Sequence, residues 1–246
     1  MSRVIGVIPA RMGSSRFPGK PLALLCGKPM IEHVYVRTRA CTALDEVMIA
    51  TCDDVIAEAG RAFDAPVVMT SAAHERATDR VAEAVGGDAA EFVVMVQGDE
   101  PMVQPGMVSA VVEALREDPS VSCVNLAARI RSTSELADPN TIKVVVNASG
   151  DAMYFSRLPV PWASTQAPDS DGHWFKQVCV IGFRRDALHD FARLPAGRLE
   201  ALESIDMLRY LEHGRRVRIV QTEAGTRAVD TEADLAWVAS AMEAEA

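Results

Sequence analysis

The strongest constraint on the fold is an alternation. Short apolar runs rich in β-branched residues occur at residues 4–8, 47–50, 67–69 and 92–96, with stretches of helical spacing between and after them at 30–40, 54–63, 79–85 and 106–116. Runs of three to five such residues suit strands buried on both faces. The longer stretches can each lay an apolar stripe against a sheet. Strand alternating with helix predicts an α/β fold, a three-layer α/β/α sandwich on a mainly parallel sheet, through about residue 120. Further apolar runs follow at 123–128, 143–146, 178–183 and 217–221. Their closer spacing predicts a small antiparallel lobe over approximately residues 123–185, serving acceptor binding or dimerisation, with an exposed polar loop at 163–171. Helices are expected at 198–212 and 232–245, the last with Thr231 as N-cap and Asp234 three residues on. A chain of 246 residues suits one domain spanning 1–246.

Composition narrows the function classes. Hydrophobic residues make up 49% and charged residues 24%, the balance of a folded globular protein. Twenty-five Lys and Arg against 34 Asp and Glu leave a formal charge of −9, which argues against nucleic acid as a partner. The cysteines, Cys26, Cys41, Cys52, Cys123 and Cys179, are odd in number and form no C-x-x-C pair, so they read as reduced thiols of a cytoplasmic protein. The N-terminal apolar run stops at Pro9, too short for a signal peptide or a membrane span.

The segment most charged with chemistry follows the first strand: Pro9-Ala10-Arg11-Met12-Gly13-Ser14-Ser15-Arg16-Phe17-Pro18-Gly19-Lys20-Pro21. Open α/β sheets bind ligands at such strand ends. Small residues let backbone N–H groups approach phosphate oxygens, and Arg11, Arg16 and Lys20 bring positive charge into an acidic chain. The G-x-x-x-x-G-K-[ST] loop is excluded, because Gly13 and Gly19 are six apart and Pro21 follows Lys20. No G-x-G-x-x-G is present, which removes the main support for a dinucleotide-dependent dehydrogenase. A second segment, Val93-Val94-Met95-Val96-Gln97-Gly98-Asp99-Glu100-Pro101, ends an apolar run in an amide, a glycine and two carboxylates. Asp99 could hold a magnesium ion or could cap a turn. Asp230, in Ala228-Val229-Asp230-Thr231, reads on its own as a helix-start residue.

Taken together, residues 9–22, Gly27-Lys28-Pro29-Met30-Ile31, Val96-Gln97-Gly98-Asp99-Glu100-Pro101-Met102, Tyr154-Phe155-Ser156-Arg157 with Pro161-Trp162, and Val229-Asp230-Thr231 resemble the 3-deoxy-manno-octulosonate (Kdo) cytidylyltransferases, and they do so in order over nearly the whole chain. The resemblance implies a Rossmann-like nucleotidyltransferase fold, a homodimer, CTP and a small acidic sugar as substrates, and Mg²⁺, two ions, with Asp99 and Asp230 as metal carboxylates. It implies catalytic roles for Arg11, Lys20, Asp99 and Asp230. It places Ala10, Arg11, Gly13, Ser14, Arg16, Lys20, Thr78, Gln97 and Gly98 around the nucleotide, and Arg80, Gln97, Gln177 and Glu203 around the sugar. Arg80 is the expected partner of the sugar carboxylate, since a guanidinium matches a carboxylate bidentately.

Two segments depart from the family pattern. Its His-x-Ser-Gly-Thr-x-Arg stands here as His74-Glu75-Arg76-Ala77-Thr78-Asp79-Arg80, and the histidine expected ahead of the strand at 178–183 is Gln177. Glutamine keeps hydrogen-bonding capacity but cannot take up a proton near neutral pH. Drift within one pocket and an altered acceptor, such as an 8-amino analogue, another 2-keto acid or a phosphonate, both account for these changes. A non-catalytic nucleotide-binding regulator is the remaining alternative, and the joint presence of Asp99 and Asp230 argues against it.

Overall fold

The computed structural model describes residues 2–13, 16–162 and 174–245; Ser14 and the loop expected at 163–171 lie outside them. The elements in chain order are β1 (Val4–Ala10), a 3-10 turn (Lys20–Leu22), β2 (Leu24–Leu25), β3 (Lys28–Pro29), α1 (Met30–Arg39), β4 (Glu46–Thr51), α2 (Asp54–Ala62), β5 (Val67–Met69), α3 (Ala77–Ala84), β6 (Phe92–Val96) and α4 (Pro105–Glu117). Then come β7 (Cys123–Arg129), α5 (Thr133–Ala137), β8 (Lys143–Val146), β9 (Ala152–Ser156), β10 (Phe175–Arg184), α6 (Arg185–Arg193), α7 (Arg198–Glu203), α8 (Asp206–Glu212), β11 (Arg218–Thr222) and α9 (Glu232–Glu245).

The main sheet runs β11-β7-β10-β6-β1-β4-β5. β1 is parallel to β4 on one side and to β6 on the other, so the strand order reverses at β1 and a crevice opens at the C-terminal ends of β1 and β6. Every residue of β1 and of β6 is buried, as expected of central parallel strands read as unbroken apolar runs. One core packs α1, α2 and α4 on one face through Ile31, Val34, Ile56, Met107 and Val111. Another packs α3, α6 and α8 on the other face through Val81, Leu188, Phe191, Met207 and Tyr210. The α/β/α sandwich expected from the alternation is therefore present.

Three features differ from the sequence expectation. β10 is inserted antiparallel between β6 and β7, so the sheet is mixed. A Cβ at Gly182 would lie 2.4 Å from Val111 Cγ1, which shows how closely α4 seats on β10. β8 and β9 pair antiparallel with each other, and β8 joins the start of β10, while β7 and the rest of β10 belong to the main sheet. The single helix expected at 198–212 is two, because Ser204 turns left-handed at φ 56° and Ile205 is extended. The N-terminus of α9 forms as expected: Thr231 Oγ1 accepts from the Asp234 N–H at 3.2 Å and Asp234 Oδ2 accepts from the Thr231 N–H at 2.9 Å.

Candidate active site

The C-terminal ends of the parallel strands and the first half of β10 border a cavity of about 920 Å³, in the range of small-molecule sites. Among the described residues its wall carries ten cationic and nine acidic side chains, a slightly positive balance in a chain of formal charge −9. An anionic substrate therefore meets less like charge there than the net charge of the chain would impose.

The loop after β1 forms one side. Met12 N–H donates to Asp53 Oδ2 at 2.8 Å, which fastens the loop to the end of β4, and Gly19 takes φ 74° to lead into the 3-10 turn carrying Lys20. Lys20 Nζ then reaches across the crevice to Asp99 Oδ2 at 2.7 Å, Val229 O at 2.9 Å and Asp230 Oδ1 at 3.2 Å. Burial works against its ammonium, but the charges of Asp99 and Asp230 outweigh it and hold the pKa above the ordinary lysine value. Asp99 is delivered by the turn after β6, where Gly98 lets that turn pass close to β1: a Cβ there would sit 3.1 Å from Pro9 O. Asp230 is held beside it because Val229 N–H donates to Asp99 O at 2.8 Å while the Val229 side chain is buried with Leu25, Met30 and Met102.

The two aspartates, 131 positions apart in sequence, thus converge on one cation. Asp99 Oδ1 is buried and, among the described residues, has no hydrogen-bond partner. A buried carboxylate oxygen left over, beside a second carboxylate, is a hard oxygen donor set that fits Mg²⁺. Arg16 Nη2 pairs with Asp230 at 3.1 Å and its Nη1 donates to Asn140 Oδ1. Arg11 is exposed at the end of β1 and, among the described residues, has no partner. Ala10, Gly13, Gln97 and Gly98 also line the cavity.

Glu100 carries a role the sequence reading did not assign. It is 2% exposed and accepts from Cys179 N–H at 3.0 Å and Thr226 Oγ1 at 2.9 Å, tying the turn after β6 to β10 and to the segment before Asp230. Burial first, then the Asp99 charge, raises its pKa to about 7.

On the acceptor side, Gln177 lines the cavity and donates through Nε2 to Asn125 Oδ1 at 2.6 Å, while the Asn125 amide donates to two strand carbonyls, so the glutamine is held in place. Arg80 lines the cavity as well but is 3% exposed, and its Nη1 donates to Thr70 Oγ1 at 2.5 Å and Ser71 O at 3.4 Å. It fastens residues 70–74. Thr78 is fully buried behind the wall, with its N–H and hydroxyl both given to Asp206 Oδ2. Glu203 is not on the wall either: it accepts from Ser156 Oγ at 2.8 Å and from Arg157 N–H at 2.9 Å. Arg157 in turn donates from Nε to Glu203 O at 2.7 Å and from Nη1 to Pro139 O at 2.9 Å, so Glu203 acts by placing Arg157, which does line the cavity. Arg76, in the departed motif, donates to Ser204 Oγ at 2.7 Å and pairs with buried Glu200 at 3.3 Å, so the substitution locks the start of α3 to the α7–α8 corner.

Comparison with known proteins shows the family. A family model described as cytidylyltransferase matches residues 5–219. A 3-deoxy-manno-octulosonate cytidylyltransferase of Solibacter usitatus (strain Ellin6076) is 43% identical over 242 residues, covering 98% of this chain and 95% of that protein. One of Escherichia coli is 40% identical over 245 residues, covering 100% and 98%. Among solved structures, a CMP:2-keto-3-deoxy-manno-octonic acid synthetase complexed with CTP superposes with a TM-score of 0.90 at 39% identity, over 100% of both chains. A 4-diphosphocytidyl-2C-methyl-D-erythritol synthase from Anaerococcus prevotii DSM 20548 shares the fold, with a TM-score of 0.64 at 14% identity over 98% of this chain and 99% of that one.

Proposed function

The chain belongs to the 3-deoxy-manno-octulosonate cytidylyltransferase family, and from that premise we propose that it joins Kdo to CMP: CTP and Kdo give CMP-Kdo and pyrophosphate. The observation that carries this reading is the convergence of Lys20, Asp99 and Asp230 in a net positive cavity at the strand-order reversal.

The anomeric hydroxyl of the acid attacks the α-phosphorus of CTP and pyrophosphate leaves from the opposite side. Positioning and neutralisation of charge are what such a reaction needs. Arg11, exposed at the end of β1 and without a partner among the described residues, meets the triphosphate first, with Arg16 and Lys20 behind it. Asp99 and Asp230 would hold Mg²⁺, which would supply neutralisation of phosphate charge and activation of the attacking hydroxyl. Two ions match the size of the triphosphate charge. No protein nucleophile is required. The cavity's cysteine, Cys179, is kept protonated by burial first and then by Glu100, so its thiol is a poor nucleophile.

The working unit in this reading is a cytoplasmic homodimer. Met153, Leu158, Trp162 and Leu202 are large apolar side chains left 61–76% exposed. β9 and α7 are joined through Tyr154 and Ser156 on Glu203, which brings Met153 and Leu202 onto neighbouring elements. Exposed apolar surface concentrated in this way is suited to a second copy. The five cysteines are free, and among the described residues no helix is long and apolar enough to cross a membrane.

The reading is tested by ³¹P NMR of the protein with CTP, Mg²⁺ and Kdo. Matched appearance of a CMP phosphodiester and of pyrophosphate supports it. Hydrolysis of CTP without a phosphodiester product sinks it.

A further inference from the structure

Of the ten cations lining the cavity, eight are already hydrogen bonded to protein groups among the described residues. The two that are not are Arg11, at the phosphate end, and Arg129, the last residue of β7. Arg129 pairs in register with Phe175 of β10, two positions from the Ala127–Gln177 pair, so its side chain leaves the sheet on the same face as that of Gln177. Its Nε is buried and has no hydrogen-bond partner among the described residues, while the side chain as a whole keeps 36% of its surface exposed toward the cavity rim. The nearest carboxylate, Glu223 Oε1, is 3.6 Å away, beyond hydrogen-bond reach, and Glu223 itself is 69% exposed and bonded to Arg131 at 2.8 Å. A buried guanidinium N–H that no protein group satisfies is a standing cost that a ligand oxygen removes. Arg80, the arginine expected at the sugar carboxylate, and Arg157, which also lines the cavity, are committed through Thr70 and Pro139.

We propose that Arg129 determines acceptor specificity by receiving the carboxylate of the sugar acid, with Glu223 as the rim carboxylate that the substrate displaces. The inference rests on the reaction proposed above. A planar fork beside a neutral amide selects a planar anion over a hydroxyl, and it does so without the histidine that Gln177 replaces.

The test uses the full chain and measures pyrophosphate release and, separately, equilibrium binding, with Kdo and with its carboxamide. For Arg129→Ala the acceptor KM and Kd should rise about 10- to 100-fold, the value of one hydrogen bond to a charged group, with the CTP KM unchanged. Arg129→Lys should recover part of the loss. The carboxamide should bind the variant and the wild type alike, and Glu223→Gln should tighten binding of the acid. Unchanged acid binding in Arg129→Ala, or an equal penalty with the carboxamide, overturns the role of Arg129. A wild type that binds the acid but releases no pyrophosphate refutes the reaction and leaves the binding comparison to decide Arg129.

Discussion

Replacing Lys20 with Met isolates the electrostatic centre of the site. In the wild type the ammonium makes contacts of 2.7, 2.9 and 3.2 Å with Asp99, Val229 O and Asp230, and these side chains keep only 14–17% of their surface in water. Removing one partner of a buried ion pair costs about 3–5 kcal/mol, and the residual exposure places this site near 3. For a chain of this size each kcal/mol is worth about 2–4 °C, so Lys20→Met should melt about 6–12 °C below the wild type in EDTA. The sign with pH follows from the raised pKa: the contribution is complete below the ordinary lysine value of 10.5 and is lost only as alkali deprotonates the folded state, so the gap stays level through neutral pH. Because Asp99 Oδ1 is left over even with Lys20 in place, Mg²⁺ should recover much of the loss in the variant and raise the wild type less. Differential scanning calorimetry with and without Mg²⁺ reads both effects. A variant that co-melts with the wild type in EDTA, or one indifferent to Mg²⁺, refutes the reasoning.

Asp99→Asn and Asp230→Asn should lose turnover while keeping most CTP binding, since Arg11 and Arg16 remain; full activity in either removes that residue from the metal site. Asp151 is buried between Arg216 and Arg218, at 2.9 and 2.8 Å, and although burial opposes its charge those bonds hold its pKa below the ordinary 3.8. Asp151→Asn should therefore cost about 1–3 kcal/mol at neutral pH, measured by urea unfolding, with the difference shrinking as acid protonates the wild-type carboxylate. Trp162→Glu should shift the chain from dimer to monomer in analytical ultracentrifugation, and an unchanged mass would place the dimer contact elsewhere.

The alternation of apolar runs made the sandwich legible, because strands buried on both faces and stripes of 3.6 spacing have few other uses. It could not show that β10 enters antiparallel, since an apolar run buried on both faces reads the same in either direction. α6 went unseen because its core contact rests on Ala187, Leu188 and Phe191 within an otherwise charged nine-residue stretch. The break at Ser204 is set by tertiary contacts: Asp206 must face Thr78, and Arg76 must reach Ser204. In the site, Arg11, Lys20, Asp99 and Asp230 were legible as chemistry at strand ends, and the aspartates supported each other only through the family pattern. Thr78 and Glu203 carry the pattern's residue types but spend their polar atoms on Asp206 and on Ser156 and Arg157. Glu100 and Arg129 were missed. Burial makes the first a structural tie, and the second holds a buried Nε without a hydrogen-bond partner among the described residues; neither property is written in local sequence.

The most direct measurement is pyrophosphate release from CTP and Mg²⁺ with Kdo, its 8-amino analogue, N-acetylneuraminate and simple 2-keto acids as competing acceptors. The account requires release with Kdo at a kcat/KM well above the others, so that the changes at Arg76, Ala77 and Gln177 are tolerated within one pocket. Release with another acceptor and none with Kdo would contradict it, and would make those residues the mark of a different acid on the same CMP-transfer machinery.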